Sequence, residues 1–307
     1  MRTVQYLGSA ILLALAGLIA GCGNSRLPAG SPGSPGTVPN PAAGDVSLKV
    51  LSNRADLLSS GDALLELLRP AGTALSDLKV DVDGRDVTSA FALRGNGRVM
   101  GVVTGLSVGN NQLRVQQRKG RGAAIVLKNH PRGGPIFTGP QIQPWLCDTA
   151  GSGLGPALDA QCNAPSTFAL MYRSAVTQSF AAYDPASPPL DLDTTTTDAG
   201  LTVPYIVRVE TGAMNRGVYK IAVLFDPDET PAPWSPPKAW NSKLMYLMGG
   251  GTAPHHSQDA TPTPLDDNAL RNGYMVVTTG LNVHGSNSND NVSAEMVMMM
   301  KEHIIEQ

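Results

Sequence analysis

The sequence predicts an all-β sandwich followed by an α/β domain. Three observations predict it. Residues 46–130 carry short alternating apolar runs separated by Gly, Asn and Asp turns. From Val203 onward the pattern changes to a hairpin, a strand that empties into three glycines, a helix, a strand and a helix. The 33 glycines and 24 prolines, against only 5% aromatics, fit a turn-rich, β-rich chain.

The 307 residues suffice for one large or two medium domains, and a hydrophobic fraction of 42% can bury a core. The 23 basic and 25 acidic side chains give a formal charge of −2. No Lys/Arg run stands out, which argues against nucleic acid or an electrostatic membrane patch as partner.

Residues 1–21 read as a targeting segment, set apart from the fold. Arg2 supplies a positive start, and Ile11–Ala20 is an apolar core about half the ~20 residues needed to span a bilayer. The quartet Ile19-Ala20-Gly21-Cys22 resembles the lipobox of bacterial lipoproteins, which implies acylation of the Cys22 thiol and a lipid anchor in place of a transmembrane helix. An ordinary secretory signal cleaved nearby is the alternative. Residues 22–45, rich in Gly and Pro, bury too little to offset ordering entropy and read as a disordered tether. Fully extended, they reach at most about 70 Å. In an oxidising compartment Cys147 and Cys162 form an even pair. Closing a loop of ~15 residues contributes about 3 kcal/mol in the chain-entropy description; two free thiols are the other possibility.

In residues 46–130 the runs Val46–Leu51, Ala63–Leu68, Leu78–Val82, Arg98–Val103, Gln112–Gln116 and Ala123–Leu127 are strands of a small sandwich. Ala63–Leu68 also suits an edge-on helix. The module resembles the immunoglobulin-like domains placed ahead of secreted bacterial enzymes, without the Cys…Trp…Cys pattern of antibody domains. Residues 131–200 are irregular and Pro-rich, a linker or cover carrying the cysteine pair.

From residue 201, Val203–Glu210 and Val218–Phe225 form an antiparallel hairpin across Thr211–Gly217. Lys243–Met248 is a third strand. Thr263-Pro264-Leu265-Asp266 starts a helix, with Thr263 as cap, and Asn272-Gly273 ends it. Tyr274–Thr279 is a fourth, buried strand, and Asp290/Asn291 caps a helix to about Glu306 whose apolar positions cover more than one face.

This order resembles the opening half of the α/β-hydrolase fold, whose oxyanion hole follows the third strand in a loop often written His-Gly-Gly-Gly. Here the loop reads Met248-Gly249-Gly250-Gly251. Val203–Tyr219, Asn241–Gly251 and Gln141–Cys147 are also similar to a family of secreted bacterial proteins of unknown function that resembles α/β-hydrolases. The resemblance implies an incomplete α/β-hydrolase-like domain over 201–307 and ester hydrolysis in complete relatives. It assigns Gly249, Gly250 and Gly251 to the oxyanion hole, because consecutive glycines let backbone N–H groups approach a developing negative charge. A turn closing the strand is the plain alternative. Gly105-Leu106-Ser107-Val108-Gly109 matches the nucleophile motif of that fold, but it lies between two strands of the first module and reads as a hairpin turn. By the order of elements, nucleophile, acid and base are expected beyond Gln307, leaving this chain inactive.

The remaining candidates are weaker. His255, His256 and Asp259 offer metal-ligand atoms, against a polar loop. His284 ends the fourth strand, where α/β sheets bind ligands, against a plain loop histidine. Asp226–Glu229 reads as a solvated turn rather than a calcium site, and His303, on a Met-rich helix, as packed or edge-exposed rather than catalytic. No metal or cofactor is expected. The expected partners are the membrane, through lipid on Cys22, and a small-molecule or polymer ester. A non-enzymatic surface lipoprotein that binds a polymer or partner through the β-module is the alternative function.

Overall fold

The computed structural model describes residues 45–253, 256–258 and 261–307. These fall in one unit, Pro41–Gln307. The targeting segment, Cys22 and the tether up to residue 44 lie outside the described residues.

The first nine strands are β1 (Ser47–Val50), β2 (Leu58–Ser59), β3 (Ala63–Leu68), β4 (Leu78–Val82), β5 (Arg85–Asp86), β6 (Ala92–Leu93), β7 (Val99–Val103), β8 (Gly109–Gln117) and β9 (Ala123–His130). They build two sheets, β1-β3-β7-β6 and β2-β9-β8-β4-β5. Alternate residues of facing strands, such as Leu65 and Leu67 against Leu113 and Val115, fill the core between them. The ambiguity of Ala63–Leu68 has a physical cause: both faces of β3 are covered, so Leu64 and Glu66 are buried as well as Ala63 and Leu65.

The second half adds β10 (Thr167–Arg173), β11 (Phe180–Ala182), β12 (Thr194–Thr196), β13 (Thr202–Pro204), β14 (Ile206–Met214), β15 (Gly217–Leu224), β16 (Leu244–Gly249) and β17 (Met275–Val283). β12 and β13 pair with each other; the rest form one sheet in the order β11-β10-β14-β15-β17-β16. β14 and β15 form the expected hairpin. It is longer than the sequence pattern suggests, because the strands run to Met214 and Gly217 and the turn is Asn215-Arg216 alone, both at positive φ. Gly212 sits within β14 because a Cβ there would lie 2.5 Å from the Tyr219 ring.

The α/β architecture expected for residues 201–307 is not what the chain adopts. Only β16 and β17 are parallel; every other pair in the sheet is antiparallel. Among the described residues the α-helices are α1 (Asp267–Leu270) and α2 (Asp290–Glu306), so the molecule is mostly β-sheet rather than α/β-hydrolase-like. The reason is local. Long Pro-, Gly- and polar-rich connections precede both β16 and β17, and the one before β17 replaces most of the helix expected there. The helix read from Thr263 shrinks to one turn, capped by Asp266, whose side chain accepts from Ala269 N–H at 2.9 Å.

β17 lies inside the sheet, and β16 is the outer strand, with Leu244 and Met248 exposed. One face of the sheet packs on α2 through Met296, Met299 and Met300, which meet Tyr219, Ile221 and Val277. α1 covers part of the other face, where Leu270 packs on Val207, Leu224 and Val276. Burial on both faces explains why β17 reads as an unbroken apolar run. The C-terminal end of α2 also touches the sandwich: Glu302 accepts from Ser59 N–H at 2.6 Å and from Asn53 Nδ2 at 3.0 Å.

Candidate functional site

β16 and β17 end side by side, and their ends hold the glycine triplet. After a shift in register Gly249 pairs with Val283. A Cβ on Gly249 would lie 2.8 Å from Val283 Cγ1. Gly251 has φ +110°, and a Cβ there would lie 2.9 Å from Gly285 Cα. Gly250 faces open space. The carbonyls of Gly249 and Gly250 accept from His284 and Gly285 N–H, both at 2.9 Å, which clamps the loop to residues 284–285. The N–H groups of Gly250 and Gly251 have no hydrogen-bond partner among the described residues. Two adjacent unpaired donors on a fixed turn can receive an anion or a polarised carbonyl oxygen.

The clamp is itself supported. Ala253 N–H donates to His284 O at 3.1 Å, and Ser288 Oγ donates to the same oxygen at 2.9 Å. Beneath the loop, Asn282 Oδ1 accepts from Tyr246 OH at 2.7 Å, and Asn282 Nδ2 donates to Ser293 O at 2.9 Å. This ties β16, β17 and α2 together. Burial pushes the Tyr246 hydroxyl well above its ordinary pKa, so it stays a donor.

The disulfide Cys147–Cys162 is formed, with 5.3 Å between Cα atoms. Its segment grips the chain beyond the glycines. Leu146 N–H donates to His256 O at 2.8 Å, Gln258 N–H donates to Leu146 O at 2.9 Å, and Asp148 N–H donates to Gln258 Oε1 at 2.8 Å. The sequence carries no signal for this link beyond the cysteine spacing.

The other sequence candidates are scattered. Ser107 is exposed in the β7–β8 connection; its N–H donates to Asn111 Oδ1 at 2.8 Å, and Asn111 Nδ2 donates back to Ser107 O at 2.8 Å. That is a braced turn between strands. His284 Nε2 lies 3.5 Å from Asp290 Oδ1, an exposed pair beside the glycine clamp. His255 and Asp259 lie outside the described residues, and His256 is exposed. Asp226 Oδ1 accepts from Asp228 N–H at 3.0 Å in a turn. No hydrogen bond joins a serine hydroxyl to a histidine ring among the described residues. The glycine loop therefore presents two unpaired N–H donors, with no serine hydroxyl bonded to a histidine ring among the described residues.

A second polar cluster was missed by sequence reasoning. His303 on α2 sits 2.8 Å from Glu210 Oε1, which also accepts from Tyr219 OH at 2.6 Å. Tyr219 OH is 3.0 Å from Ser166 Oγ and accepts from Arg132 at 3.3 Å. Burial pushes the Glu210 carboxyl up, but the His303 and Tyr219 hydrogen bonds outweigh it and leave it below the usual glutamate range. Every group here has a protein partner, so the cluster reads as a cross-brace between α2 and the sheet. Residues 93 apart supply it, and no local motif marks them.

A family model described as a tannase-like family of unknown function (DUF6351) matches residues 48–307. No curated protein is significantly similar to the chain.

Proposed function

The chain belongs to this tannase-like family of unknown function, and from that membership and the glycine loop we propose an exported, lipid-anchored protein of an ester-hydrolase lineage that can receive an ester carbonyl at this loop without turning it over. The tannase likeness points toward hydrolysis. The observation that carries the reading is the pair of unpaired N–H groups of Gly250 and Gly251 at the end of the parallel strand pair. An ester carbonyl oxygen seated there would gain negative charge in the tetrahedral intermediate and be met by two preset donors. The described residues supply this electrostatic half of acyl transfer and no nucleophile in hydrogen-bond contact with a base. Lipid on Cys22 would hold the protein at a membrane surface.

Two measurements test this on the full chain. Turnover of a chromogenic short-chain ester, and labelling by a serine-reactive fluorophosphonate, are both expected to be absent. Turnover or labelling lost in Ser107→Ala would place a nucleophile in the sandwich and overturn the assignment. Growth with a tagged fatty acid should label the wild-type chain and leave Cys22→Ser unlabelled. Labelling of both, or of neither, would remove the anchor.

A further inference from the structure

An apolar cavity bounded by the sandwich, the sheet and α2 is not part of the glycine-loop site. It has a volume of about 300 Å³, at the lower end of the range of small-ligand sites, roughly 300–1,000 Å³. Met275, at the start of β17, lines it, whereas the glycine loop adjoins Val283 at the other end of that strand. Eight residue steps along the strand separate them, roughly 26 Å at about 3.3 Å each.

The floor of the cavity is the sheet, with Ile221 and Val223. Leu64 and Met100 of the sandwich form one wall and Ile304 of α2 another. Trp240 and a proline-rich stretch, 231–237, close the remaining side. That stretch is stiff because its prolines fix φ, and it is held in place where Arg94 stacks on Trp234, 3.5 Å from the ring centre.

Three charged side chains line this apolar chamber, and their partners differ. Arg98 is spent on Glu66, with both carboxylate oxygens engaged at 2.7 and 2.5 Å. The Oε1 of Glu210 is held by Tyr219 and His303. Arg208 has neither a hydrogen bond nor an ion pair among the described residues. Its guanidinium is positioned by two rings instead, 4.8 Å from the centre of Phe225 and 5.5 Å from that of Phe168. Burial pulls Arg208 below its ordinary pKa, and Glu210 nearby offsets part of that; a guanidinium nonetheless stays charged in proteins. Arg208 thus lines an apolar chamber with a guanidinium that has no protein hydrogen bond, and a carboxylate takes a guanidinium two-pronged.

We propose that this cavity binds a monocarboxylate with an apolar body, its carboxylate on Arg208 and its body against Ile221, Val223, Met100 and Trp240. The site does not depend on the ester-hydrolase reading, so either can fail alone.

The test uses the full chain and sodium decanoate as probe, with tryptophan fluorescence as readout, since Trp240 lines the cavity. Decanoate should give a saturable change, and decanol, which lacks the charge, should bind at least tenfold more weakly. Arg208→Gln should weaken decanoate at least tenfold and leave decanol unaltered. Arg208→Lys, which keeps the charge and loses the fork, should fall between wild type and Arg208→Gln and guards against a folding defect in the latter. Absence of saturable decanoate binding, equal binding of decanol, or wild-type affinity in Arg208→Gln would each overturn the proposal.

Discussion

Gly250 and Gly251 are neighbours in sequence and opposites in constraint. Gly251 combines a φ of +110° with a backbone neighbour 2.9 Å from any added Cβ, whereas Gly250 has no atom within 4 Å of that position and no left-handed φ. Gly251→Ala is expected to cost about 1–3 kcal/mol, and Gly250→Ala to stay within about 0.5 kcal/mol. Urea unfolding of the two variants checks this; equal losses would mean the clamp to Gly285 does not set the loop. The triplet was visible in the sequence, since three glycines after an apolar strand are distinctive. What the string of letters does not carry is which N–H groups remain unpaired, because that depends on Val283–Gly285 arriving alongside. Arg208 was invisible for a related reason: nothing local distinguishes an arginine that has a carboxylate partner from one that has none.

α2 shows the same limit at the scale of an element. Its apolar positions correctly imply contact on more than one face, but the cap is Asn289, which accepts from Val292 N–H, and not Asp290 or Asn291. The pattern does not reveal that three of its glutamates are buried. Glu295 is held by the N–H groups of Ile136, Phe137 and Thr138, at 2.8, 2.7 and 3.0 Å. Glu302 and Glu306 face the sandwich, where Asp62 adds like charge, and Glu306 Oε1 has no partner. Burial raises Glu302 to about 7 and Glu306 to about 8. The folded state thus binds these protons more tightly than the unfolded chain, whose glutamates titrate near 4.5. Their stabilising contribution is full below that value and is lost as pH rises through 7 and 8. Glu66, held low by its Arg98 hydrogen bond, works in the opposite sense and loses its contribution only as pH falls below 4.5. The melting temperature is therefore expected to decline from pH 5 to pH 9, and Glu306→Gln should flatten the upper part of that decline. An unchanged slope in the variant would show that Glu306 is ionised in the folded protein at neutral pH.

At the scale of the whole molecule, the long strands of both halves were legible from alternation and turn residues. The two-residue strands β2, β5 and β6 carry too little pattern to read. β10 was lost in the irregular segment, because its first three residues are exposed and blur the alternation. The layout of the second sheet was misjudged because pairing partners are set by distant contacts, and a hairpin followed by strand, helix and strand fits more than one arrangement. The sheet in fact recruits β10 and β11, and its helical face draws Ile136 and Trp145 from upstream of residue 201. Residues 201–307 expressed alone are expected to lack a cooperative melt and to aggregate through the exposed apolar edge of β16. Residues 45–307 should melt cooperatively. A sharp transition in the shorter fragment would show that its core is self-sufficient.

The position of β17 between β15 and β16 sets an order on assembly. β16 hydrogen-bonds to nothing in the sheet except a strand that lies 26 positions further along the chain. In a polypeptide emerging N-terminus first, the β14–β15 hairpin can close while β16 is still waiting, an apolar strand without a neighbour on either side. Only when Met275–Val283 docks on the free edge of β15 does β16 gain a partner, and in that same event Gly249 and Gly250 are clamped and the glycine loop takes shape. The glycine turn is thus a late product of folding, completed by the strand that locks the sheet.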